Sequence, residues 1–197
     1  MAPGARLVLA SASPRRVALL RAAGYDFEVR PSGVPEPPFA GGDPGAYAES
    51  LAGAKAAGAG GFGPEVVVGA DTIVVLDGAV LGKPADPGAA AAMLRRLAGR
   101  THRVITAVAV RRGEVVRSAH AATGVTFRQL SDREIADYVA TGEPLDKAGA
   151  YAYQGGAGAF VTRLDGEADT VIGLPVALVD ELLPPELRRP RRVSPGS

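Results

Sequence analysis

Asp71 is the residue that first asks for a chemical reason. It stands inside residues 66–76 (VVVGADTIVVL), an eleven-residue apolar run. A buried carboxylate is costly unless it is paired, hydrogen-bonded or bound to a metal. Two readings are open: an aspartate satisfied by backbone donors, or a metal ligand or base at the end of a strand. An ordinary Asp, with a pKa of about 3.9, is a weak base near neutrality unless its environment or a metal helps it. A second group is Ser11-Ala12-Ser13-Pro14-Arg15-Arg16. Ser13 suits an N-cap and Pro14 the first helical position, so the arginines fall in a first helical turn. Cations oppose the helix dipole there. The pair is either simply solvated or shares an anion such as phosphate with the free N–H groups of the helix end. The segment is not a P-loop, because no Gly-Lys-Ser/Thr follows a glycine-rich turn.

Lys83 precedes Pro84, which forces it into an extended conformation. It lies on the strand returning from the Asp77-Gly78 turn, so it belongs on the same side of the molecule as Asp71. Asp146-Lys147-Ala148-Gly149 runs into Tyr151-Ala152-Tyr153-Gln154-Gly155, a pattern that suits a loop closing over a ligand. Glu36 is a lone carboxylate in a loop, residues 31–44, with five prolines and three glycines.

Composition narrows the chemistry. The 197 residues contain no cysteine, which removes disulfides, thiolate metal sites and thiol nucleophiles. The two histidines, His102 and His120, are too few for a histidine-rich zinc site, and His102 reads as structural. A formal net charge of +1 gives no reason to expect a nucleic-acid partner, and no apolar run is long enough to span a membrane. The expectation is a cytoplasmic protein. The chain holds 19 Arg but 3 Lys, no Asn and 37 Ala, as a GC-rich coding bias produces. A lysine that survives such a bias is either a chance survivor or marks a position where a compact ammonium fits and a planar guanidinium does not. The three are Lys55, Lys83 and Lys147.

The elements that must position these groups alternate. Residues 6–10, 27–30, 66–76, 79–81, 103–111, 114–126, 159–164 and 170–172 read as strands. Residues 14–23, 46–59, 87–97, 131–140 and 175–183 read as helices. Ser131 followed by Glu134 is a capping box. Long hairpins interrupt the alternation, so the fold class is α/β with a mixed, partly antiparallel twisted sheet flanked by helices. Residues 1–183 are expected to form one domain. Residues 184–197 (PPELRRPRRVSPGS) read as a disordered tail.

Seven stretches carry a resemblance over nearly the whole of that domain: LASASPRR (9–16), GADTIVV (69–75), LGKP (81–84), THRVITAVAV (101–110), VTFRQL (125–130), EPLDKAGAYAYQG (143–155) and IGLPV (172–176). In this order they resemble the Maf family of nucleoside triphosphate pyrophosphatases, whose fold is related to that of the inosine triphosphatases. Gln154 and the Arg15-Arg16 doublet resemble the subfamily acting on dTTP and UTP. The resemblance implies cleavage between the α- and β-phosphates, a divalent cation (Mg2+ or Mn2+) and a homodimer. It implies Asp71 as proton acceptor and metal ligand, with Lys83 beside it in catalysis. Arg15, Thr72 and Gln154 are implied for base selectivity, with Arg15 and Thr72 either fixing the glutamine amide or donating to a base carbonyl. Ser11, Arg16, Lys55 and Lys83 are implied to line the phosphate cleft, and Glu36 to be a metal ligand. The family carries two acids where this chain has Pro35-Glu36, which leaves Glu36 as that loop's one ligand. Two alternatives are a non-catalytic nucleotide-binding regulator of septum formation and a pyrophosphatase of broad or modified-nucleotide specificity.

Overall fold

The computed structural model describes residues 5–60 and 64–188. Seven strands form one mixed sheet: β1 (Arg6–Leu9), β2 (Glu28–Val29), β3 (Glu65–Leu76), β4 (Ala79–Leu81), β5 (Thr101–Arg112), β6 (Val115–Phe127) and β7 (Val161–Asp165). Their order is β2-β1-β3-β5-β6-β7, with β4 also on β3. β1 runs parallel to β2 and β3, and the other pairings are antiparallel. The helices are α1 (Pro14–Ala22), α2 (Pro44–Gly58), α3 (Pro87–Leu97), α4 (Asp132–Ala140), α5 (Ala168–Ile172) and α6 (Val176–Leu182).

β3 organises the molecule. β5 covers one of its edges from Val66 to Val75. β1 covers the other edge only as far as Val68, and β4 resumes at Val74. Residues 69–73 of that edge pair with no strand, and Asp71 and Thr72 lie in the gap. Side chains alternate between faces along a strand. Val67, Ile73 and Val75 pack against Ala48, Ala52 and Ala56 of α2. Val66, Val68 and Ala70 face Leu20 of α1 and Val179 of α6. Val74 and Leu76 pack with Leu94, Leu97, Ile135 and Tyr138 of α3 and α4. Asp71 therefore shares the α2 face, and Thr72 points to the opposite one.

The alanine-rich surface of α2 lets it lie very close to the sheet. A Cβ on Gly69 would stand 2.2 Å from the Ala52 carbonyl oxygen and 2.6 Å from the Ala56 nitrogen. Only glycine permits that approach, which carries Lys55 down toward Asp71.

Several expectations from sequence change in detail. Residues 170–172 are not a strand. They end α5, with the Asp169 carbonyl accepting from the N–H of Gly173 and Leu174. Thr-Val-Ile has strand propensity, but packing and these bonds override it. Ser13 occupies the N-cap of α1 without a side-chain cap; its own N–H donates to Ser11 Oγ at 3.2 Å. The capping box at Ser131 and Glu134 is present. The expected tail does not begin at 184. Pro185–Leu187 form a 3₁₀ turn, Leu187 packs on the α1–α6 cluster, and Arg188 donates to the carbonyls of Leu183 and Glu181. The rest of that tail, residues 189–197, lies outside the described residues.

Candidate active site

The gap in the β3 edge opens into a cleft of about 640 Å³. All nine residues singled out from sequence line it: Ser11, Arg15, Arg16, Glu36, Lys55, Asp71, Thr72, Lys83 and Gln154. They come from the β1–α1 turn, the 31–44 loop, α2, β3, the segment after β4 and the 146–154 loop. Asp146, Lys147, Tyr151 and Tyr153 join them. His102 does not. It is buried, with Nε2 at 2.8 Å from the Tyr151 hydroxyl and its ring edge-on to Phe127, and burial lowers its pKa to about 4.

Asp71 is buried, and Lys55 Nζ stands 2.5 Å from its Oδ1. Burial raises the Asp71 pKa above the usual carboxylate value; Lys55 and Arg16 pull it partly back, and Glu36 adds to the rise. Lys55 Nζ also reaches Glu36 Oε1 at 2.7 Å, so one ammonium is shared by two carboxylates. Burial would raise the Glu36 pKa too, but the bond and charge of Lys55, joined by Lys83 at 3.5 Å, hold it below the ordinary value. Lys83 is on Asp71's side of the molecule, as its place after the hairpin requires.

Glu36 stays in the cleft because the preceding loop is tied to α2. The Tyr47 hydroxyl donates to the Pro37 carbonyl at 2.7 Å, and its ring packs against Phe39. Burial and the charges of Asp71 and Glu36 raise the Tyr47 pKa, which keeps the phenol protonated as a donor. Sequence reasoning missed Tyr47. The signal was present: Tyr47, Leu51 and Lys55 recur every four residues on α2, the spacing of one helix stripe, and all three line the cleft.

The two arginines of the doublet differ. Arg16 donates Nε to the Gly173 carbonyl at 2.8 Å, Nη1 to Ser11 Oγ at 3.4 Å and Nη2 to Thr72 Oγ1 at 3.1 Å. Burial lowers its pKa, with Asp71 acting against the fall, and a guanidinium stays charged regardless. Gly173 sits at φ +120, where a side chain would be strained. Arg15 also lines the cleft, but no described residue hydrogen-bonds its guanidinium.

Thr72 is bound inward. Thr106 Oγ1 donates to the Thr170 carbonyl at 2.7 Å, so its single proton is committed. The 2.9 Å contact between the two threonine hydroxyls then has Thr72 as donor. Thr72 accepts from Arg16 and donates to Thr106, which leaves a ligand a lone pair and no proton. Of its two expected roles, donation to a base carbonyl does not fit this arrangement. Gln154 is exposed at the cleft, on a loop pinned from behind. The Tyr138 hydroxyl accepts from the Ala152 N–H at 3.0 Å, and Glu143 Oε2 accepts from the Gly156 N–H at 3.0 Å. Lys147 pairs with Asp146 at the same rim.

Among the described residues no group of three or more His, Cys, Asp or Glu could hold a metal ion by itself. Two carboxylates meeting over one cation do suit a hard, oxygen-loving ion that completes its shell with waters and phosphate oxygens. The donor set therefore fits magnesium or manganese carried in with a phosphorylated ligand.

A protein from Moorella thermoacetica named dTTP/UTP pyrophosphatase is 52% identical over 183 residues, covering 90% of this chain and 93% of its own. Proteins of the same name from Pelotomaculum thermopropionicum and Anaeromyxobacter dehalogenans are 49% and 50% identical, covering 90% and 93% of this chain and 94% of their own in both cases. The family model described as Maf-like protein matches residues 6–185. With that match and these relatives, the chain belongs to the Maf-like family.

Proposed function

We propose that this protein is a pyrophosphatase of nucleoside triphosphates, hydrolysing dTTP and UTP to the monophosphate and pyrophosphate with a divalent cation. The observation that carries the proposal is one cleft holding a buried carboxylate, Asp71, tied to Lys55 and faced by Arg15, Arg16 and Lys83. The names of the relatives give the same substrate pair. Phosphoryl transfer asks a protein mostly for positioning and charge stabilisation, and the lining supplies both.

Arg16, fixed at all three nitrogens, orders the β1–α1 turn. Arg15, whose guanidinium hydrogen-bonds no described residue, is a cation placed to meet a phosphate oxygen. Lys83, 58% exposed at its side chain, can move onto the leaving pyrophosphate with little loss of solvation. Asp71 orients the attacking water and accepts its proton late, a role its raised pKa favours. Glu36 and Asp71 would hold the cation. When bound, that ion neutralises phosphate charge and makes a water more acidic. Gln154 reads the base edge, since its amide can accept from N3–H and donate to O4 of uracil or thymine. A homodimer and a cytoplasmic location belong to the same proposal. Among the described residues no helix is long and apolar enough to cross a membrane.

Product analysis tests the reading. Incubation with dTTP and magnesium should release dTMP and pyrophosphate as the first products. Orthophosphate and dTDP as first products would overturn it, because the attack would then fall on the γ-phosphorus.

A further inference from the structure

Lys55 does in this structure what a divalent ion would do. Its Nζ lies 2.5 Å from Asp71 Oδ1 and 2.7 Å from Glu36 Oε1, and it is the cation that joins the two. Its side chain is only 13% exposed, so water offers that ammonium little alternative. An ammonium and a divalent cation compete for the same anionic oxygens. A lysine can nevertheless let go, because its charge is a point on a flexible stem that finds a new partner by rotation. The cleft provides for such a partner. Ser11 to Arg16 and Lys83 line the same cavity and favour an anion beside Lys55.

The geometry points to a conditional metal site: the Lys55 ammonium occupies Asp71 and Glu36 in the free protein and yields them to a divalent cation only when a phosphate chain gives it another partner. This rests on the cleft binding a nucleoside triphosphate. Nucleotide and metal then bind as linked ligands, each raising the other's affinity by the same factor. A cation that meets the protein alone finds its carboxylates already neutralised.

The test reads metal binding rather than turnover. Free Mn2+ is followed by its electron paramagnetic resonance signal, without nucleotide, during titration of the parent, Lys55→Met and the double variant Lys55→Met/Asp71→Asn. Removing a unit positive charge a few ångströms from the ion should tighten Mn2+ binding by roughly tenfold or more in Lys55→Met, a conservative figure for charges at that range. The double variant should lose that gain. Equal affinity in the parent and Lys55→Met would overturn the inference. If Lys55→Met does not fold, the parent itself decides. The sequence has three lysines, so a spectrum of 13Cε-labelled lysine has three side-chain resonances. Mg2+ alone should leave the Lys55 resonance in place, and Mg2+ with a dTTP analogue carrying a methylene between the α- and β-phosphates should shift it. A shift with Mg2+ alone, or none with the analogue bound, would overturn it. Failure of the analogue to bind, together with uncleaved dTTP, would sink the pyrophosphatase reading instead; the Mn2+ comparison would still decide what Lys55 does.

Discussion

Asp71 was conspicuous in the sequence because a charge has no ordinary place inside an apolar strand, and the structure answers with a lysine sixteen residues away. Asp71→Asn keeps the shape and removes the charge. Turnover should fall by roughly 10²–10⁴, the range for a general acid–base group, with the cooperative denaturant transition retained; near-normal kcat would make Asp71 structural. Lys83→Arg keeps charge and changes shape, so activity should fall well beyond any change in midpoint. An arginine variant as active as the parent would defeat the lysine-survival argument at that position. Gln154→Ala should lower kcat/KM for UTP and dTTP and narrow their advantage over CTP, a bidentate base contact in nucleic-acid complexes giving roughly 1–3 kcal/mol of discrimination. An unchanged UTP-to-CTP ratio would move base recognition to the backbone of the 146–158 loop. His102 gives a pH prediction. Its folded pKa, lowered to about 4 by burial, lies below the unfolded value near 6.5. The unfolded state then binds more protons between those limits, so this histidine's contribution is full above pH 6.5 and is lost as pH falls toward 4. His102→Gln should flatten that part of the stability profile, measured by urea melts across the range. A profile of unchanged slope would show that His102 titrates normally.

At the scale of elements, hydrophobic runs and turn residues located the strands and helices well, because β3, β5 and β6 each carry a long apolar or β-branched pattern. The failures have physical causes. Thr170 to Ile172 has the composition of a strand, yet the N–H groups of Gly173 and Leu174 close a helical turn on the Asp169 carbonyl and the Thr106 hydroxyl donates to the Thr170 carbonyl. The second of these contacts is distant in sequence and has no local signal. The closeness of α2 to β3 was equally hidden, since a glycine in a strand does not announce what passes above it. Gly69→Ala tests that closeness. The added methyl would meet backbone atoms of Ala52 and Ala56, which have no rotamer to yield. The cost should be about 1–3 kcal/mol, as for other overpacked sites, and folded enzyme should also lose activity because Lys55 would be lifted from Asp71. Unaltered stability with full activity would mean the helix can back away freely.

For the whole molecule, the site was legible as a set of residues before it was legible as a place. Motifs, a lone loop carboxylate and a surviving lysine marked nine positions across six segments, and all nine line one cleft because β1 and β4 leave residues 69–73 of one strand edge open between them. Thr106 was not legible as functional, because an anchor acts through another residue and carries no motif of its own, and Tyr47 showed only through its helical spacing from Lys55. The two faces of β3 also constrain how this chain can change. Asp71 and Thr72 are neighbours in sequence but serve opposite sides of the sheet, one tied to α2 and the other to Arg16. A substitution at 69–73 alters one side chain. A gain or loss of a single residue there would reverse the sidedness of everything beyond it, sending the carboxylate toward Arg16 and the hydroxyl toward Lys55. The segment can therefore vary in composition but hardly in length. The hairpin tip at Gly113 and Glu114, outside the ladder of β5 and β6, is where insertions can accumulate without moving the chemistry.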